Sequence, residues 1–190
     1  LLKKIHSTEV EPEDMPDMKA VVVDWANFLK DYLEPEKWQK LTDLIAAVPE
    51  DHHMIHGDYH TKNVMVQNGE VLLIDMDTLC QGDPIFEFAS IFNAYIGFYI
   101  ANNFSRESFI DLPHEISKQI WEKTLKLYFD TDDAEYLKTV EDKSKLIGYT
   151  RLMRRLIRRN GLETEEGRKE IAFYKEQIES LLDTVDTLIF

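Results

Sequence analysis

Asn68-Gly69 lies between two short apolar runs, Val64 to Gln67 and Glu70 to Ile74. Both residues tolerate the positive φ angles that a two-residue turn demands, so the pair predicts an antiparallel β-hairpin. No other stretch of the chain carries a comparable β signal. Apolar residues recur at helical spacing in "MKAVVVDWANFLKDYL" (18–33) and "PEKWQKLTDLIAAV" (35–48), where Pro35 sits at a helix start that does not need its missing N–H. Helical patterning resumes over 84–102, 114–129, 133–160 and 164–188, with "NGLE" (160–163) as a stop and Thr164 as an N-cap. The predicted fold is mainly α with a small antiparallel β-hairpin embedded in it. At 190 residues and 44% hydrophobic, the chain can bury a core as one unit.

Composition narrows the function classes. Thirty-six acidic against 22 basic side chains give a formal charge of −14, a field that repels nucleic acid and anionic membrane surfaces. Cys80 is the single cysteine, which excludes an internal disulfide and a thiolate-built zinc site and points to an intracellular, cytoplasmic setting. The longest apolar run, "FEFASIFNAYIGFYIA" (86–101), contains Glu87 and Asn93 and is shorter than the roughly 20 residues of a membrane span. It reads as a buried helix.

Between residues 52 and 84 lie four histidines and a set of aspartates. Asp58 and Asn63 sit on the loop entering the hairpin, and Asp75 stands at the end of its second strand. A short-turned hairpin folds that end back beside the start of the first strand, which brings Asp75 near Asn63 and within reach of Asp58. Two carboxylates and an amide oxygen form a hard-ligand set suited to Mg²⁺, which takes few protein ligands alongside waters and phosphate oxygens. That set fits phosphoryl transfer. Two other readings of the same residues exist. Asx side chains also satisfy loop backbones beside hairpins. His52, His53, His56 and His60, with a carboxylate and a distant His6 or His114, also have the composition of a transition-metal hydrolase loop.

"HGDYHTKN", followed by "LLIDMD" and "GDPIFEFA", resembles the aminoglycoside phosphotransferase and choline kinase superfamily, relatives of the protein kinases. "LLKKIHST" resembles the helix that opens the C-terminal lobe there. The resemblance implies that residues 1–190 are the C-terminal lobe of a protein-kinase-like fold, with the N-terminal nucleotide lobe absent from this chain. It implies Asp58 as the catalytic aspartate and Asn63 and Asp75 as Mg²⁺ ligands. His56 braces the loop, and His60, Asp77 and Asp83 take supporting places. ATP or GTP is the implied phosphoryl donor and a small hydroxyl compound the acceptor. A kinase-like binding module that transfers nothing is the alternative. Glu87 departs from the family, whose members usually carry Asp at that place, and is expected to keep a structural role. Nothing in the chain resembles the Gly-rich phosphate loop or the strand Lys paired with a helix Glu. A lobe standing alone would bind Mg-ATP weakly and self-associate through apolar residues such as Leu1, Leu2, Met65 and Leu79.

Further expectations concern the rest of the chain. The acidic balance, with "DTDDAE" (130–135) and the loop around Glu107 and Asp111, favours a cationic acceptor. Arg151, Arg154, Arg155 and Arg158 share one helix face; it is expected to be solvated and paired with Glu141, Asp142 or Glu165, the other reading being a grip on a substrate phosphate or carboxylate. Trp25, Trp121, Tyr95 and Phe98 are assigned to the core, and Cys80 has no base beside it. Asp77 is expected at the rim of the site rather than among the ligands.

Overall fold

A computed structural model describes residues 1–101 and 109–190; Glu107, one of the acids of the expected anionic loop, lies outside the described residues. The order of elements is α1 (Leu2–Ile5), α2 (Met18–Phe28), α3 (Pro35–Ala46), β1 (Met54–Ile55), β2 (Val64–Gln67), β3 (Glu70–Leu73), β4 (Cys80–Gln81), α4 (Pro84–Phe92), a π-helical segment (Asn93–Gly97), α5 (Phe98–Ala101), α6 (His114–Phe129), α7 (Ala134–Arg158) and α8 (Glu165–Leu181). The protein is mostly helical, as expected, and carries small antiparallel sheets. None of the described helices is long and apolar enough to cross a membrane.

The hairpin has the expected register. Val64 pairs with Leu73 and Gln67 with Glu70, and Asn68 and Gly69 both take positive φ, at 53° and 83°. A second two-stranded sheet, β1 against β4, was not expected; it pairs Met54 with Gln81 and Ile55 with Cys80. Strands of two residues carry no readable periodicity. β3 stops one residue short of the expected end. The chain does not continue as a strand at Asp77: Asp75 is left-handed (φ 58°, ψ 61°) and Met76–Thr78 form a 3₁₀ turn. Asp77 therefore lies on an exposed turn and not on a strand.

Helix starts follow the capping chemistry of the sequence. Asp17, Asp83, Asp133 and Thr164 each accept a backbone N–H at the head of α2, α4, α7 and α8, and Pro35 and Pro84 occupy first-turn positions. Helix α4 is buried from Ile85 to Phe92 and is the centre of the molecule. It packs against α7, which also packs against α8 and α2. The α4–α7 approach depends on Gly148, where a Cβ would stand 2.8 Å from both Phe92 Cδ1 and Asn93 Oδ1. Trp25, Trp121 and Tyr95 are core residues as expected. Phe98 is only half-buried, and Leu2, expected to need cover, is buried under the helical body. Past Leu181 the expected helix gives way to a non-helical tail whose Leu182, Val185 and Leu188 are buried against the core.

Candidate active site

The loop His56 to Asn63 is held from below by α4. Glu87, fully buried, accepts the backbone N–H groups of His56 (2.5 Å) and Gly57 (3.1 Å) on Oε2 and of Tyr59 (3.4 Å) on Oε1. One turn on, Ser90 Oγ donates to the Gly57 carbonyl at 2.9 Å. The Tyr95 hydroxyl accepts from Thr61 N–H (3.0 Å), and Thr78 Oγ1 donates to the His56 carbonyl (2.8 Å). A loop with this many backbone groups satisfied by buried side chains is pinned in one shape. Gly57 is required at its place: its φ is 78°, and a Cβ would lie 2.5 Å from the Thr78 carbonyl oxygen. The expected structural role of Glu87 is thus concrete, since its carboxylate caps three loop amides while His6 Nε2 lies 3.8 Å away.

His56 is wholly buried. With Nε2–H donating to the Ile74 carbonyl (3.3 Å), its Nδ1 is free to accept the Asp58 N–H (3.3 Å). The ring ties the loop to the end of β3. Asn63 Nδ2 donates to the Asp58 carbonyl (2.9 Å) and contacts its carboxylate Oδ2 (3.4 Å). The Asn63 carbonyl in turn accepts from Ile74 N–H (3.0 Å). Asp58 and Asn63 are therefore together, and the backbone of Ile74, next to Asp75, is bonded to the same loop from both sides. The Asp75 side chain is exposed, with no hydrogen bond or ion pair among the described residues.

Burial alone would raise the Asp58 carboxyl, but His60, Arg151 and His56 outweigh it and hold the group below the usual carboxylate range. His60 is buried with Nε2 3.3 Å from Asp58 Oδ2, and its ring stands edge-on to Phe109. Asp77 is exposed on the turn after Asp75. Asp83 is a helix cap: its carboxylate accepts the Ile85 N–H at 2.8 Å, so it supports the site only by starting the helix that carries Glu87 and Ser90.

The four clustered histidines do not converge. His52 meets Gln81, His53 meets Asp51, His56 turns inward to Ile74, and His60 lies against Asp58. Among the described residues no three His, Cys, Asp or Glu side chains form a metal-holding group. Two hard oxygen donors nonetheless remain uncommitted. Asn63 spends its N–H groups on Asp58, which leaves Oδ1 without a hydrogen-bond partner among the described residues, and Asp75 is likewise uncommitted.

The expectation for the arginine face is overturned. Arg151 Nη1 donates to Ser90 Oγ (3.1 Å) and the Gly57 carbonyl (3.4 Å), and its guanidinium lies 5.4 Å from the Trp25 ring centre. Glu141 and Asp142 are taken by Lys145 and Lys138 on their own helix, and Glu165 by Lys169. Arg151 and Arg155 instead line a cleft of about 230 Å³ with Asp58, Ser90, Asn93, Ala94, Phe98, Phe109 and Leu152. The acids expected to attract a cation are elsewhere: Asp130 and Asp133 cap helices α6 and α7, Asp132 pairs with Lys126, and Asp111 pairs with Lys62. Cys80 is buried, and burial first, then Glu87, pushes its thiol up to about 12, which agrees with an inert role.

Comparison with curated proteins and with solved structures gives no match. The family described as the phosphotransferase enzyme family matches residues 1–109, a stretch that holds the pinned loop, the hairpin, Asp75 and α4. That is more than half of the 190 residues, and the chain belongs to this phosphotransferase family.

Proposed function

We propose that the protein transfers the γ-phosphoryl group of ATP or GTP to a hydroxyl of a small molecule, with Asp58 as the catalytic aspartate. The observation that carries this reading is the pinned Asp58–Asn63 loop, with Asp58 lining a cleft and the backbone of Ile74, next to Asp75, bonded to Asn63. Asn63 Oδ1 and the Asp75 carboxylate are the groups that would hold Mg²⁺. The ion, when bound, neutralises charge on the transferring phosphates.

Asp58 accepts a hydrogen bond from the acceptor hydroxyl and aims its oxygen at the phosphorus. A carboxylate held below its ordinary range is a weak base, so it orients the hydroxyl early and takes its proton late, when the oxygen is already bonding to phosphorus. Positioning supplies most of the acceleration, which is why the loop is fixed at so many backbone points. Asn63, by donating to Asp58, keeps that carboxylate from rotating away from the cleft. Cleft, loop and ligand pair belong to a kinase-like catalytic lobe in this reading.

The test is Asp58→Asn in the intact protein, assayed by Mg-ATP-dependent phosphorylation across a panel of hydroxylated acceptors. The variant should fold normally and lose at least about 100-fold in kcat, the size of a general-base contribution. Retention of kcat within about tenfold, ~1.4 kcal/mol in barrier, would refute the assignment.

A further inference from the structure

The cleft beside Asp58 holds two guanidinium groups against one carboxylate, in a chain whose acids outnumber its bases. Arg151 is partly committed, because Nη1 serves Ser90 and the Gly57 carbonyl. Its other N–H groups have no partner among the described residues. Arg155, one turn further along α7, has neither a hydrogen bond nor an ion pair among the described residues. It is nonetheless held in place: the guanidinium lies 4.9 Å from the centre of the Phe98 ring, and Phe98 stacks on Phe109 with centres 4.8 Å apart. Burial, followed by the neighbouring charges of Arg159 and Arg151, lowers the affinity of Arg155 for its proton, and the smaller opposing pulls of Tyr174 and Asp58 do not offset them. Half-burying a cation with no direct ion pair costs free energy that a carboxylate in contact with it would reduce.

A planar fork with two or more free N–H groups, fixed against an aromatic wall, matches an oxyanion bidentately. The lining of the cleft includes both the Asp58 carboxylate and the Arg155 fork. That arrangement orients a molecule with a hydroxyl at one end and an anionic group at the other. At about 230 Å³ it lies below the roughly 300–1,000 Å³ of sites for drug-sized ligands, so the occupant is compact.

We propose that the acceptor is a small hydroxylated compound carrying a carboxylate or phosphate group, bound by Arg151 and Arg155 with its hydroxyl at Asp58. The proposal rests on the phosphotransferase reading for the word acceptor, and replaces the cationic acceptor expected from overall charge. Both arginines lie outside the segment matched to the family.

The experiment is a calorimetric titration of the intact protein without nucleotide. The anionic probes are glycerate and glycerol phosphate; the cationic probes are ethanolamine and glucosamine. An anionic probe should bind at least about tenfold more tightly than either cation, and Arg155→Gln should weaken it by a similar factor, ~1.4 kcal/mol. Arg155→Lys, which keeps the charge and loses the fork, should fall between. Arg154→Gln should bind as wild type, since Arg154 lies over Phe28 rather than in the cleft. Which anionic probe binds separates a carboxylate from a phosphate. The proposal is overturned if no anionic probe binds, if a cationic probe binds as tightly, or if Arg155→Gln leaves anion binding unchanged; should that variant fail to fold by circular dichroism, wild-type affinity in Arg155→Lys overturns it instead. Because no nucleotide is present, anion binding stands apart from turnover: binding without phosphoryl transfer would sink the proposed function and leave the anion site in place.

Discussion

Replacing Glu87 with Gln tests whether the loop is held as described, because the change keeps volume and removes charge. In the wild type, Oε2 serves two N–H groups and Oε1 a third, more distant one. Hydrogen bonds to a charged acceptor contribute about 1.5–3 kcal/mol each and neutral ones about 0.5–1.5. The Gln oxygen can replace Oε2, which converts two bonds from charged to neutral at a loss of about 2 kcal/mol. The amide nitrogen then faces the Tyr59 N–H, donor against donor, and adds about 1 kcal/mol. Burying an amide costs less than burying a carboxylate, which returns part of this. A net loss of about 2–3 kcal/mol is expected, read as a lower urea midpoint with unchanged slope, or as a fall in Tm of roughly 5–10 °C for a chain of this size. Activity should fall further than stability accounts for when measured well below the transition, because Asp58 rides on the loosened loop. A loss under about 0.5 kcal/mol, the range of ordinary surface substitutions, with kcat unchanged, would mean that Glu87 does not hold the loop.

Two further outcomes follow from the same geometry. Gly57→Ala should destabilise by roughly 2 kcal/mol or more, since a positive φ and a 2.5 Å approach to the Thr78 carbonyl act together; a variant as stable as wild type by urea unfolding would show that the loop shifts freely. In a pH series, the depressed Asp58 carboxyl means that its contribution to stability is complete above the unfolded value of 3.8 and is lost as pH falls through the lower folded value. The acid limb of kcat/KM assigned to Asp58 should accordingly lie below the ordinary carboxylate range and move when His60, the larger of its favourable partners, is replaced by Gln. An acid limb that stays put in that variant would detach Asp58 from His60.

Legibility in the sequence tracked how local each feature is. Asn68-Gly69 carries its own dihedral preference, so the hairpin and its pairing could be read directly, and its closure returns Ile74, next to Asp75, to the Asn63 carbonyl. The Thr164 cap is local in the same way, and so are the caps at Asp17, Asp83 and Asp133 that the sequence reading did not single out. By contrast, β1 and β4 are two residues each and exist only because residues 54–55 and 80–81 meet in space. The tail beyond Leu181 kept apolar residues at three-residue intervals, which a buried non-helical segment reproduces as well as a helix does. The arginine face was visible as a stripe, yet its partners were misassigned. The nearby acids Glu141 and Asp142 are satisfied by lysines four residues away on the same helix, and Arg151 reaches a carbonyl 94 positions earlier in the chain.

The Arg151 contact has a consequence for how the site is assembled. Gly57 O accepts from Ser90 on α4 and from Arg151 on α7, so the loop that carries Asp58 and the wall that carries Arg155 are joined at one carbonyl. Their relative placement is fixed by the α4–α7 packing, which in turn needs Gly148 to let Phe92 and Asn93 approach. On the proposed reading, a shift of one helix against the other would move the Arg155 guanidinium relative to Asp58 and misdirect the acceptor hydroxyl, even with every site residue intact. Catalytic positioning of this kind degrades steeply with displacement, a misplacement of about 1 Å costing on the order of 100-fold in rate. The buried, nearly all-apolar α4 is therefore as much a part of the site as the loop it holds: its two polar side chains, Glu87 and Ser90, are the ones that grip the loop, and its remaining surface sets where α7 lies.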